Sequence, residues 1–321
     1  MGRTGKLGAA LLSLILLFAG CGGSLGGTER KYAVDVIVKK ADADFWKVVQ
    51  MGTEAAGREF GITVNFTGPA DEKDIDGQIK MVDTAITRKV DAIVLAASDY
   101  TQLADAVDRT VEANIPVIII DSDVQSDRTS CFIGTDNVDA GRKLGETLVD
   151  KVGDNCKIAV MGFIKGAATS DQREEGLMKV VAEHPGINVL SMMYCKSDED
   201  IAKAQTMDII SINPDIDAIV CLNAYGTEGT ALAIDELELS GKVKIIGFDS
   251  TPEEIRYLEK GVIQALVVQN PYSMGYLGVK HALDAIQGKT VPKSVDTGAS
   301  VVDRENMYQP ENQKLLFPFT S

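Results

Sequence analysis

The chain has 321 residues, 45% of them hydrophobic and 6% aromatic, an ordinary globular composition. Its formal charge of −15 means that a nucleic-acid backbone or an anionic membrane surface would repel it, so a transcription repressor is disfavoured on charge alone. Five cysteines with no C-x-x-C pair, and only His184 and His281 as imidazoles, argue against a disulfide framework, a zinc site or any other metal centre, and no cofactor is implied.

Arg3 and Lys6 lead into an apolar run over residues 7–17 that ends at Ala19-Gly20-Cys21. The run falls short of the ~20 apolar residues of a permanent membrane span, so residues 1–20 read as an export signal. The small residues before Cys21 resemble the lipobox of bacterial lipoproteins, which implies cleavage there, lipidation of Cys21 and an extracytoplasmic chain anchored to the cell membrane. Residues 21–30, rich in Gly and Ser, are expected to be a flexible linker. No helix-turn-helix pattern precedes Lys31, and no later apolar stretch is long enough to span a bilayer.

From residue 32 onward, strand-like runs (32–38, 62–66, 92–95, 117–120) alternate with amphipathic stretches of helical period. This is the pattern of βαβ units and a parallel sheet. Asp44 is a candidate cap for a helix over 45–60 that stops at Gly61. A second set of runs (157–161, 188–193, 218–222, 243–248, 265–268) repeats the pattern, followed by a helix over 271–287 and an extended segment over 291–302. Cys131, Cys156 and Cys221 fall in or beside such runs and Cys195 just after one, as buried thiols do. With about 150 residues per domain, the mature chain predicts two similar α/β domains with doubly wound parallel sheets. The expected boundaries are 31–134 plus 270–288 for the first and 135–269 plus 289–316 for the second, joined by three crossings. Ligands of open α/β sheets sit at the carboxyl ends of the strands, so the site is expected in a cleft between the halves.

The motifs Asp44-Phe45-Trp46 with Gly52, Gly77-Gln78-Ile79, Asp121-Ser122, Gly134-Thr135-Asp136-Asn137, Arg173 with Gly176, Gly247-Phe248-Asp249 and Gln269 together resemble the type I periplasmic binding proteins of the ribose and autoinducer-2 group. These are the substrate-binding subunits of ABC importers. The resemblance implies a monomer that closes two domains around a small polyhydroxylated ligand and presents it to a membrane permease, with no catalysis. Its ribose-type pattern carries over to Phe45, Trp46, Asp121, Arg173, Asn223, Asp249 and Gln269, but an expected arginine is Ser122 and an expected phenylalanine falls near Ser197. Its Lsr-type autoinducer-2 pattern carries over to Lys39, Asp121-Ser122-Asp123, Asp171-Gln172 and Leu222-Asn223-Ala224, with Leu222 replacing a proline. On that pattern a contact through the carbonyl of residue 222 would tolerate either residue, and autoinducer-2, a quorum-sensing signal, is the expected ligand.

A monosaccharide such as ribose, allose or galactose is the alternative ligand, and a sugar-sensing module for a membrane receptor is the alternative role. An enzyme has no comparable support, because no G-x-S-x-G, H-E-x-x-H or Walker loop occurs. Gly226-Thr227-Glu228-Gly229 reads as a helix start.

Overall fold

The computed structural model describes residues 32–318. The expected signal peptide, the lipidation site Cys21 and the linker lie outside the described residues. The first half runs β1 (Ala33–Ile37), α1 (Asp44–Phe60), β2 (Thr63–Thr67), α2 (Ile75–Arg88), β3 (Ala92–Leu95), α3 (Ala104–Glu112), β4 (Val117–Ile120) and β5 (Cys131–Gly134). The second runs α4 (Asn137–Lys151), β6 (Asn155–Gly162), α5 (Ala168–Glu183), β7 (Gly186–Tyr194), α6 (Glu199–Ile212), β8 (Ala218–Cys221), α7 (Ala224–Glu236), β9 (Lys244–Phe248), α8 (Pro252–Lys260) and β10 (Ala265–Gln269). The chain ends with α9 (Pro271–Ile286), β11 (Ser294–Asp296), β12 (Ala299–Asp303) and α10 (Pro310–Leu316).

Two six-stranded sheets result, ordered β11-β5-β4-β3-β1-β2 and β12-β10-β9-β8-β6-β7, parallel throughout except where β12 pairs antiparallel with β10. The two doubly wound α/β lobes are those the βαβ pattern predicts. Alternation along β1 explains the packing. Val34 and Val36 join one apolar layer under α1 and α9, whereas Ile37 joins the other with Ile93, Leu95 and Ile119. Each such fully buried side chain contributes roughly 1.5–3 kcal/mol.

The chain passes between the lobes after Gly134, after Gln269 and between Asp296 and Ala299. The last passage differs from the expectation that residues 289–316 all belong to the second half. β11 runs parallel to β5, with Asp296 opposite Gly134, because Val295 packs into the apolar layer of the first sheet. The carboxylate of Asp296 then accepts from the backbone N–H groups of Asp136 (3.1 Å) and Gly298 (2.8 Å), tying the first and third passages together.

Asp44 is the first residue of α1 rather than its cap; Ala43 occupies the cap position without a side-chain bond, and Asp44 there favours the positive end of the helix. Gly61 ends α1 as expected, in the left-handed region at φ 69°. Gly52 has a packing role: a Cβ there would lie 2.1 Å from the Tyr272 carbonyl oxygen, so only glycine lets α1 cross α9 at this distance. All four described cysteines are buried thiols, and burial pushes Cys131 up to about 11 and Cys221 up to about 12. Among the described residues no helix is long and apolar enough to cross a membrane.

Candidate functional site

The carboxyl ends of both sheets face one cavity of about 280 Å³ walled by both lobes. That is just below the ~300–1,000 Å³ typical of ligand pockets. Lys39, Phe45, Trp46 and Asp121 reach it from the first lobe, and Arg173, Asn223, Ala224 and Asp249 from the second. Gln269, the last residue of β10 before the second passage, lines it at the hinge.

The two lobes present their carboxylates in the same way. Asp121 directly follows β4 and Asp249 directly follows β9, and both adopt left-handed backbone (φ 60° and 83°). Such a conformation costs about 1–3 kcal/mol in a residue with a side chain and persists only where neighbours enforce it. Here the Asp121 N–H donates to the Ile133 carbonyl (3.0 Å) and the Asp249 N–H to that of Val267 (2.9 Å), each on the adjoining strand.

In the first lobe the Lys39 ammonium lies 3.1 Å from the Asp121 carboxylate, with both side chains more than nine-tenths buried. Its nitrogen also sits 6.0 Å from the centre of the Trp46 ring, and Phe45 packs edge-on against that ring at 4.9 Å. The indole N–H points to Glu72 at 3.4 Å, which leaves ring faces as the apolar part of the wall. Gln78, fully buried, bonds the Val38 and Ala96 carbonyls and the Ser98 N–H, and so fixes the strand ends that carry Lys39.

In the second lobe the Arg173 guanidinium stacks on Phe248, with Cζ 3.7 Å from the ring centre. Nη1 donates to the Leu222 carbonyl (2.8 Å) and Nε to Asn137 Oδ1 (2.8 Å). Burial pulls Arg173 below the ordinary arginine range, against the attraction of Asp249, Asp121 and Glu72. Burial likewise pushes Asp249 up, opposed first by Arg173 and then by the bond from Gln269 Nε2 (2.8 Å). Asn223 caps α7 by accepting from the Gly226 N–H (3.0 Å) and keeps its amide at the cavity edge.

Three of the expected site residues are placed elsewhere. Asp171 and Gln172 are exposed on the outer side of α5, and Asp171 accepts from the Gly166 N–H (3.1 Å) beside a separate surface depression. Successive helical residues turn by about 100°, so burying Arg173 in the cleft turns Asp171 and Gln172 away from it. Leu222 is fully buried behind the wall, and its carbonyl serves Arg173 rather than the cavity.

Sequence reading missed Lys40, Glu72, Phe163, Tyr225, Glu228 and Thr251, which also line the cavity. Lys40, Phe163 and Tyr225 could have been found, since each follows a strand end or an already suspected residue. Glu228 carried no such signal, because it lies inside a helix.

Fold and site together define a two-lobed binding protein whose polar cavity is shared between its halves. The family model of the periplasmic binding protein domain matches residues 34–290, and the chain belongs to that family. The D-allose-binding periplasmic protein of Escherichia coli strain K12 is 26% identical over 266 residues, covering 80% of this chain and 86% of the relative. A carbohydrate transporter solute-binding protein from Agrobacterium radiobacter, solved with D-arabinose, superposes with a TM-score of 0.86 at 33% identity, over 90% of this chain and 99% of that one. An ABC transporter solute-binding protein from Agrobacterium vitis with bound D-fucose gives 0.86 at 36% identity, over 88% and 99%. These relatives are binding proteins for monosaccharides; they do not support autoinducer-2 specificity.

Proposed function

We propose that this protein is the substrate-binding component of an ABC importer, held outside the cytoplasmic membrane by a lipid on Cys21, and that it captures a monosaccharide and delivers it to a membrane permease. One observation carries the reading. A cavity of about 280 Å³ is lined from both lobes by Asp121 and Asp249 as acceptors and by Lys39, Arg173, Asn223 and Gln269 as donors, beside the aromatic faces of Phe45 and Trp46. A pyranose or furanose offers hydroxyls of both senses on its rim and C–H groups on its faces. Charge-assisted hydrogen bonds to the hydroxyls contribute about 1.5–3 kcal/mol each, and rings stack against the C–H face. Because each lobe supplies part of this set, the ligand stabilises the closed arrangement over any open one, and closure follows from that differential affinity. The carbohydrates bound by the solved relatives support this ligand class.

Of the Lsr-type autoinducer-2 pattern, Lys39 and Asp121 line the cavity, whereas Asp171 and Gln172 are exposed on α5 away from it, which favours a monosaccharide. The test is calorimetric titration of residues 28–321, stripped of carried ligand by partial unfolding, with D-arabinose, D-fucose, D-allose, D-ribose and autoinducer-2. Micromolar or tighter binding of at least one sugar is the expected result. Binding of autoinducer-2 alone, or of none of these, would overturn the proposal.

A further inference from the structure

Glu228 lies in the second turn of α7 and lines the cavity, yet its surroundings differ from those of Asp121 and Asp249, the acids that follow strands there. Asp121 has Lys39 beside it, and Asp249 has Arg173, Gln269 and the Ala224 N–H. Glu228 forms no ion pair among the described residues. Its Oε1 accepts from the hydroxyl of Thr251, whose oxygen in turn accepts from the Glu254 N–H (3.2 Å), while Oε2 has no hydrogen-bond partner among the described residues. Acids face it from three packed helices: Asp44 on α1 of the opposite lobe, Glu199 on α6, and Glu253 and the fully buried Glu254 on α8. The cations of the cavity wall, Lys39, Lys40 and Arg173, are engaged elsewhere, with Asp121, the Tyr225 ring, and Phe248 and Leu222 respectively.

An ionised carboxylate in such a place would be desolvated against like charges from both lobes. We propose that Glu228 contacts the bound sugar as a neutral carboxylic acid, donating its proton to a ligand oxygen through Oε2, so that capture of the sugar takes up a proton. The inference rests on the monosaccharide reading and deepens it. It makes Glu228 the donor that complements the acceptors Asp121 and Asp249, and it makes Asp44 of the first lobe the like charge that closure brings against it.

Burial pushes Glu228 up to about 7, and separation of the lobes, which withdraws Asp44 and admits water, would lower it. Below the open-form value both forms hold the proton and affinity is flat. Between the two values closure takes up a proton and affinity falls as pH rises; above the closed-form value it is flat again. Sugar affinity is therefore expected to fall at least about tenfold between about pH 5 and about pH 7.5.

The experiment is titration of wild type, Glu228→Gln and Glu228→Ala with the sugar that binds wild type among D-arabinose, D-fucose, D-allose and D-ribose. Each is run across that range and, near pH 6, in two buffers of different ionisation enthalpy. Wild type is expected to lose affinity with rising pH and to take up protons on binding. Glu228→Gln, which keeps a donor and cannot ionise, is expected to show neither effect, and Glu228→Ala to bind at least about fivefold more weakly at pH 5. A sugar bound with the same pH slope and proton uptake by wild type and Glu228→Gln overturns this inference and leaves the monosaccharide reading standing. No sugar bound by wild type at any pH overturns both. Saturable binding by the variants shows directly that they fold.

Discussion

Lys39 and Asp121 form a buried ion pair 3.1 Å long at the carboxyl ends of β1 and β4, where the first lobe meets the cavity. Removing one partner of such a pair strands the other charge out of water, which costs more than the pair contributes. Lys39→Ala is expected to weaken sugar binding at least about tenfold, or about 1.4 kcal/mol, and to lower the melting temperature. Lys39→Ala combined with Asp121→Ala is expected to recover part of the stability but none of the binding. Calorimetry for affinity and thermal unfolding for stability check both outcomes, and a double variant no more stable than the single one would contradict the argument.

The guanidinium of Arg173 is used in three directions at once, on the Phe248 ring, the Leu222 carbonyl and Asn137. A lysine cannot stack as a plane or keep both bonds. Arg173→Lys should therefore cost at least about tenfold in affinity, although the charge is retained. Near wild-type affinity in this variant would mean that charge alone matters at the position.

Asp171 and Gln172 project from the outside of α5. Asp171→Asn and Gln172→Ala are each expected to leave sugar affinity within about twofold, below the ~1 kcal/mol that a buried hydrogen bond contributes. A tenfold loss in either would return these residues to the ligand and with them the autoinducer-2 pattern.

Leu222 donates its N–H to the Met161 carbonyl (2.9 Å) while its own carbonyl holds Arg173. The expectation that proline is tolerated here through a carbonyl contact is therefore corrected. Leu222→Pro deletes a buried inter-strand bond and leaves the Met161 carbonyl unpaired, so a loss of about 1–3 kcal/mol in stability is expected. Chemical denaturation of the ligand-free protein measures it, and an unchanged midpoint would refute it.

Strand positions, helix extents and the repeated α/β halves were legible in the sequence because they rest on local facts. Apolar runs such as 117–120 and 218–222 must leave water, and Gly61 takes at little cost the left-handed conformation that ends α1. The candidates that directly follow strands, Lys39, Asp121, Asn223 and Asp249, were legible for the same reason, since chain direction in a parallel sheet sends every strand's carboxyl end to one side. Tertiary structure decided what depends on rotation and on partners far away in the chain. The turn of α5 buries Arg173 and exposes its neighbours Asp171 and Gln172. The apolar layer beneath Val295 draws β11 into the first sheet, and the acids that surround Glu228 come from three helices and both lobes. Periodicity says which residues share a face of an element; only packing says what that face meets.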